Sequence, residues 1–197
     1  LAFLIGLWLA GLLAYVRQAG PTPARRLATL YIEFMRNTPL LVQLFVLFFS
    51  LPMLGIRLSA DQAALAGLAL NFAAYGAEIL RGGMLSVAHG QIEAAQVLGL
   101  SRWRTFRHVV LMPALHVSYP ALASQFVLMM LGSSVVSAIS ATDLTAITNT
   151  LQSTTFRSFE FYFVTTALYL VMALLVRLVL ALAYRQLFPA ALRSSAV

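Results

Sequence analysis

Five long apolar stretches separated by short polar segments dominate the pattern of this chain. A bilayer core about 30 Å thick needs roughly 20 mostly apolar residues for one helical crossing. The pattern therefore predicts an all-α integral membrane protein with five transmembrane helices in a single domain, 1–197. The predicted spans are 1–16, 28–51, 63–80, 109–131 and 161–184. The first span is short, and because the chain opens at Leu1 without an initiator Met, we expect further residues before it.

Composition supports the membrane assignment. Hydrophobic residues make up 61% of the 197 positions, against roughly 45–50% in soluble domains. The net charge is +7 and every basic residue is an arginine. If the spans alternate, nine arginines share one side: Arg17, Arg25, Arg26, Arg81, Arg102, Arg104, Arg107, Arg185 and Arg193. Only Arg57 and Arg157 fall on the other side. Positive charge favours the cytoplasm, which predicts an outer N-terminus and a cytoplasmic C-terminus.

A polar loop at 86–108 interrupts the apolar spans and lies on the predicted cytoplasmic side. Gly90 and Gly99 bracket a short helical run, Gly99 can adopt the positive φ that ends a helix, and Ser101 can cap the next helix. The loop therefore predicts two short helices joined by a sharp turn. A helix-turn-helix reader of DNA would also carry arginines after such a turn, but two membrane-bound flanks disfavour nucleic acid. A surface segment with Trp103 and Phe106 among lipid headgroups is the other alternative.

Three segments carry a resemblance to a known family. Glu93-Ala94-Ala95 is followed by Gly99 and by a basic aromatic stretch that closes at Leu111 and Pro113. This resembles the Glu-Ala-Ala loop of bacterial ABC-importer permeases. The segments 31–49 and 71–83 are similar to the polar amino-acid branch, which includes histidine, glutamine and arginine permeases. Together the matches cover most of the chain.

The resemblance implies a type I ABC-importer permease fold in the bacterial inner membrane, with a cytoplasmic coupling helix at 91–98. It also implies a second permease subunit, identical or different, a cytoplasmic ATPase dimer, and a periplasmic or lipid-anchored amino-acid-binding protein. ATP and Mg²⁺ would then bind the ATPase, and this chain would bind no cofactor. Ala94 and Ala95 are expected to keep the ATPase contact close, and Glu93 to anchor it. The residues expected to couple to the ATPase are Gln91, Glu93, Ala94, Ala95, Leu98, Gly99, Ser101 and Trp103.

Polar residues within the spans recur seven positions apart, which places each set on one helix face. The sets are Arg36, Gln43 and Ser50; Asn71 and Glu78; and Ser118, Gln125 and Gly132. Such faces should turn away from lipid, either towards a substrate passage or towards a neighbouring helix as polar contacts. Glu78 with Arg81, and Glu33 with Arg36, can also form local ion pairs. The candidate pathway residues are Asn71, Tyr75, Glu78, Gln125 and Ser134.

Two local features shape the end of the fourth span. Pro113 and Pro120 are placed to kink it. Beyond it, small polar residues continue to Asp143, and Asp143 or Thr142 can cap a short helix that runs to about Leu151 on the outer surface.

The sequence offers no catalytic constellation. A phosphate-binding Gly-x-x-x-x-Gly-Lys loop needs lysine, which the chain lacks. On a continuous helix His116 lies about 26 Å from Ser133 or Ser134, and the histidines have no metal-site spacing. A non-enzymatic permease subunit is therefore favoured, with an ion-coupled secondary transporter or another small-solute ABC permease as the alternative. Five helices enclose little, so a second permease copy is expected.

Overall fold

The computed structural model describes residues 1–188, apart from the side chains of Ala19 and Arg102, and within this range the chain is helical with no strand. Arg193 of the predicted cytoplasmic set lies outside the described residues. The α-helices, in chain order, are α1 Ala2–Ala19, α2 Thr22–Arg36, α3 Leu40–Phe45, α4 Ala60–Leu85, α5 His89–Val97, α6 Arg102–Thr105, α7 Met112–Gly132, α8 Leu144–Thr155 and α9 Ser158–Leu187. The π-helical turns Val46–Ser50 and Phe106–Leu111, and the 3₁₀ turns Leu51–Leu54 and Ser133–Ile139, extend α3 and α7.

Three helices are long and apolar enough to cross a membrane: Ala60–Leu85, Trp103–Ile139 and Ser158–Leu187. They contain the predicted third, fourth and fifth spans. The apolar helix Ala2–Gln18 is shorter, as its sequence indicates. A fourth crossing results if the helices Thr22–Arg36 and Leu40–Leu54, which meet at a sharp bend, form one span. The all-helical membrane fold is confirmed, and the count of five spans stays a prediction.

The predicted second span, 28–51, is wrong as one continuous helix. α2 ends at Arg36, and the helix that begins at Leu40 runs at 108° to it. Pro39 explains the break, because proline has no N–H to donate and disfavours helical geometry at the residue before it. Arg36, Gln43 and Ser50 therefore do not share one helix face.

Small residues bring α1 and α4 into close contact at the centre of the molecule. A side chain at Gly76 would place its Cβ 2.9 Å from the Cβ of Ala10, too close for the present packing. Ala10, Ala74 and Ala77 form a core cluster there with Ile32 and Met35 of α2. Small residues allow this approach between membrane helices, so α4 becomes the helix on which α1, α2 and α7 pack.

α7 packs against α4 through a second close approach. A Cβ at Gly83 would lie 2.5 Å from the carbonyl oxygen of Ala114. The Ser118 hydroxyl donates to the Ile79 carbonyl at 3.1 Å across the same contact. Pro113 and Pro120 are both accommodated within the continuous helix Trp103–Ile139, so the fourth predicted span has no break at either proline.

The segment after α7 has the predicted helix cap. The Ala146 N–H donates to Asp143 Oδ1 at 2.8 Å, which confirms Asp143 as the residue that begins α8. The helix runs to Thr155, one turn beyond the predicted end. α9 packs beside α7, where the Tyr119 hydroxyl donates to the Leu180 carbonyl at 2.8 Å. Thr165 and Ala173 are its buried residues, so most of α9 faces outward.

Candidate functional site

The turn between α5 and α6, residues 98–101, is called the elbow here. Gly99 has φ +75°, in the left-handed region that favours glycine. The Leu100 N–H donates to the Ala95 carbonyl at 3.1 Å and the Gly99 N–H to the Gln96 carbonyl at 3.0 Å, the two bonds of a Schellman motif. The Arg104 N–H donates to Ser101 Oγ at 3.4 Å. The prediction of two short helices joined by a sharp turn is therefore confirmed, with Gly99 ending the first helix and Ser101 capping the second.

Two sides of α5 differ in exposure. The exposed side chains of the helix and of Leu98, which ends it, are those of His89, Gln91, Glu93, Ala94, Gln96, Val97 and Leu98. The exposed fractions of Val97 and Leu98 are 88% and 80%, high values for apolar residues on a short helix. The outward surface of α5 is thus open and partly apolar.

Ala95 does not lie on this surface. Its exposed fraction is 4%, so its side chain packs inward against the rest of the chain. The expectation that the Ala95 side chain contacts a partner directly is therefore wrong in this structure, because that side chain is already covered by the chain itself. Ala94 is exposed, so a direct contact between Ala94 and a partner stays a prediction. Val97 was missed by sequence reasoning, although its place three residues after Ala94 puts it on the same surface.

The polar groups of α5 remain accessible. His89 Nδ1 lies 3.0 Å from Glu93 Oε1, with side chains 83% and 64% exposed. An exposed pair of this kind contributes little to stability, so Glu93 can exchange it for a partner group at small cost. Trp103 is 60% exposed and stacks on Phe106 with 5.9 Å between ring centroids. Phe106 in turn contacts Tyr15 of α1 at 5.8 Å, which ties the elbow to the helical core.

The polar face of α4 contacts the broken second span, and we call these contacts the polar seam: Gln43, Asn71, Tyr75 and Glu78 with their partners. Gln43 Nε2 donates to the Met35 carbonyl at 2.8 Å and to the Thr38 hydroxyl at 2.8 Å. Asn71 Nδ2 donates to Gln43 Oε1 at 3.0 Å. Gln43 therefore supplies a partner for a carbonyl group that the break leaves without a helical one.

Tyr75 continues the seam towards α2. Its hydroxyl donates to the Arg36 carbonyl at 3.3 Å, and the Arg36 guanidinium lies 5.6 Å from the centre of the Tyr75 ring. This separation falls within the range of a cation–π interaction. The predicted Glu33–Arg36 ion pair is absent from the described residues. Glu33 Oε2 instead accepts from Asn37 Nδ2 at 3.2 Å, and Arg36 turns to α4.

Glu78 is the centre of a charge cluster. Its carboxylate lies 2.5 Å from Arg17 Nη1 of α1 and 4.0 Å from Arg36 Nη1 of α2. It also pairs with Arg81, one turn along α4, whose Nε donates at 3.0 Å. The predicted Glu78–Arg81 pair is thus confirmed. Arg17 and Arg36, from distant parts of the sequence, join it because α1 and α2 both pack on α4.

The other two candidate pathway residues lie apart from the seam. Gln125 is half-buried on α7. The Ser134 hydroxyl donates to the Leu131 carbonyl of its own helical segment at 2.9 Å. No hydrogen bond within residues 1–188 joins either side chain to Asn71, Tyr75 or Glu78. The structure therefore brings together three of the five candidates.

Residues 2–191 match the model of the family described as "Binding-protein-dependent transport system inner membrane component". This chain belongs to that family. It is 39% identical over 171 residues to the octopine transport system permease protein OccM of Rhizobium meliloti, covering 82% of this chain and 70% of OccM. It is 35% identical over 173 residues to the glutamine transport system permease protein GlnP of Escherichia coli K12, covering 86% and 79%.

A shorter match has higher identity. The chain is 46% identical over 117 residues to the probable amino-acid ABC transporter permease protein YckA of Bacillus subtilis, covering 59% of this chain and about half, 52%, of YckA. A crystal structure of an amino acid ABC transporter with histidines superposes with TM-score 0.87 at 37% identity, covering 94% of this chain and 86% of that one. An inward-facing methionine transporter, MetNI, shares the fold at TM-score 0.72 and 22% identity, covering 94% and 87%. The predicted family and permease fold are confirmed.

Proposed function

We propose that this permease is the membrane-spanning subunit of an ATP-driven amino-acid importer, and that the outward surface of α5 docks on a cytoplasmic ATPase. The single observation that carries the docking assignment is a short helix with an open, partly apolar surface, ended by a left-handed glycine. The relatives that match most of this chain are permeases named for glutamine and octopine transport, which supports an amino acid or amino-acid derivative as substrate.

The proposal includes the other components of such an importer. A second permease subunit, identical or different, completes the translocation path. The ATPase pair binds ATP and Mg²⁺, and a periplasmic or lipid-anchored protein delivers the amino acid. The arginine distribution supports an orientation with α5 and the C-terminus in the cytoplasm and the N-terminus outside.

The elbow would transmit movement of the ATPase to the spans. α6 continues without interruption through Phe106–Leu111 into α7, so the four residues of the elbow connect α5 to this helix, and Ile92 of α5 also packs beside Val110 and Ala114. When the ATPase pair closes, the two copies of α5 approach, and α7 tilts as a rigid body. The role of Ala95 in this mechanism is internal: a small side chain lets α5 pack closely on its own chain.

The polar seam has a structural role in this proposal. Asn71 and Tyr75 hold the broken second span against α4, and Glu78 forms ion pairs with arginines from three helices. Each of these side chains already has partners within the chain. The substrate path would then lie at the contact between two permease subunits, and Gln125 and Ser134 remain candidates for it.

The docking assignment is tested by Glu93→Lys and Gly99→Asp in the complete transporter reconstituted in proteoliposomes. Both changes should reduce the amount of ATPase that copurifies with the permease and the uptake per ATP hydrolysed, because one reverses an exposed charge on α5 and the other strains a backbone with positive φ. Glu160→Lys is the matched control. Glu160 is also an exposed glutamate paired with a neighbour on its own helix, but it lies at the far end of α9.

Unchanged ATPase copurification and unchanged coupling in both variants would contradict the assignment. Uptake that persists without any ATPase and depends on an ion gradient would favour the secondary transporter instead.

A further inference from the structure

A groove of about 490 Å³ lies between α7 and α9, away from the elbow and the polar seam. Two arginines of α9, Arg177 and Arg185, line it. They are eight residues apart, or about 12 Å along the helix axis. The rest of the lining is apolar or weakly polar: Tyr119, Pro120, Ala123, Ser124, Leu180, Ala181 and Tyr184.

No carboxylate side chain of the chain balances these two charges. All six acidic residues lie within the described range, and each has other partners. Those residues and their partners are Glu33 with Asn37, Asp61 with the Thr142 N–H, Glu78 with Arg17, Glu93 with His89, Asp143 with the Ala146 N–H, and Glu160 with Arg157. Arg177 lies within the predicted fifth span, where charge is normally paired, and both arginines are exposed, so the groove is open to an anion from outside the chain.

Aromatic side chains place the groove near one membrane surface. The Tyr184 hydroxyl lies 2.9 Å from His116 Nε2, and the Tyr119 and Tyr184 rings are 5.2 Å apart. Phe188 packs on His116 with 5.2 Å between ring centroids. Tyrosines collect at the level of the lipid headgroups, and these lie at the C-terminal end of α9. Arg177, deeper in the span, can extend its guanidinium towards the same level.

We propose that this groove binds an anionic phospholipid of the surrounding membrane. Its phosphate lies between Arg177 and Arg185, which are suited to phosphate oxygens as charged donors. Its glycerol and the start of one acyl chain lie along Leu180, Ala181 and Ala123. Basic pockets between membrane helices bind anionic headgroups on this physical basis, and the exposed apolar side of α9 continues the surface for the acyl chain. If the orientation proposed above holds, the lipid belongs to the inner leaflet.

The test uses the purified transporter in detergent and native mass spectrometry with phosphatidylglycerol and phosphatidylcholine at equal concentration. The wild type should retain phosphatidylglycerol in preference. One basic residue contributes about fivefold near an anionic surface, so Arg177→Gln with Arg185→Gln should reduce the preference about 25-fold. Arg177→Lys with Arg185→Lys should keep the preference within about threefold, since the charges remain. Arg157→Gln, at the other end of α9, should leave it unchanged.

A second measurement locates the lipid and does not depend on how well the double variant folds. The chain has no cysteine, so Ser124→Cys introduces a single thiol into the groove for a fluorescent label. Brominated phosphatidylglycerol should quench this label at lower lipid fractions than brominated phosphatidylcholine, and inorganic phosphate should not relieve the quenching.

Three outcomes would overturn the proposal. Equal retention of the two lipids by the wild type would show that the groove does not select an anionic headgroup. Relief of quenching by inorganic phosphate would show that the ligand is a free anion. Disulfide cross-linking of Ser124→Cys between two permease subunits would show that protein covers the groove. None of these measurements depends on ATPase docking, so the two proposals can fail separately.

Discussion

Replacing Gly83 by alanine should separate α4 from α7. The new Cβ would lie 2.0 Å from Ser118 Oγ and 2.5 Å from the Ala114 carbonyl oxygen, against an ordinary contact of 3.4–4 Å. The Ser118 side chain can rotate away, but the Ala114 carbonyl belongs to the α7 backbone, so the helices must move apart by about 1 Å. Overpacking costs about 1–3 kcal/mol, and loss of the Ser118–Ile79 hydrogen bond adds about 0.6 kcal/mol.

Gly82→Ala is the control for this prediction. Gly82 is the preceding residue of the same helix, and a Cβ there would meet nothing within 4 Å. Both changes raise helix propensity equally, so the difference between them isolates the steric contact. We expect the free energy of unfolding of Gly83→Ala in detergent to be lower than that of Gly82→Ala by about 2–3 kcal/mol. Adding Ser118→Ala should restore only part of this, because the carbonyl contact remains. Equal stability of the two alanine variants would refute the reasoning.

Two further predictions concern the polar seam. Gln43→Leu removes the amide that binds the Met35 carbonyl and Asn71, and should lower the free energy of unfolding by about 1–3 kcal/mol. Asn71→Leu loses only one of these hydrogen bonds and should lower the free energy of unfolding by less. Equal losses in the two variants would contradict the role assigned to Gln43. Glu78→Gln removes the carboxylate that binds Arg17 and Arg81, and should lower the midpoint of thermal unfolding while ATP-driven uptake per assembled transporter stays close to that of the wild type. A large loss of uptake at unchanged stability would instead place Glu78 in the substrate path.

Local signals in the sequence predicted local geometry correctly. Gly99, Ser101 and Asp143 act within a few residues of themselves, since a positive φ or a capping oxygen needs no tertiary context. The apolar runs likewise predicted the third, fourth and fifth spans correctly, because their length alone indicates a membrane crossing. The resemblance to amino-acid permeases could be recognised because the Glu93 loop contains both the turn residue Gly99 and the basic aromatic stretch that follows it.

The errors arose where tertiary contacts decide. The pattern from 28 to 51 is apolar on both sides of Pro39, which suggested one helix although Pro39 is itself a local signal for a break; only the packing on α4 shows that Gln43 closes it. The three-residue spacing of Glu33 and Arg36 permitted an ion pair, but the Arg36 guanidinium lies over the Tyr75 ring and 4.0 Å from Glu78, across the seam. Ala95 was assigned by motif, and its inward position depends on how α5 lies against the chain.

The continuous helix Trp103–Ile139 begins beside the elbow and spans 37 residues, which is about 55 Å of rod. In the proposed mechanism it would act as a lever arm whose fulcrum is the close contact at Gly83. From that contact to Ile139 the helix is about 37 Å long, so a tilt of about five degrees displaces the opposite tip by about 3 Å. If α5 docks on the ATPase as proposed, a gate at the far membrane surface would need no large motion at the elbow, and a change that loosens the Gly83 contact should reduce the displacement of the tip before it disturbs the docking.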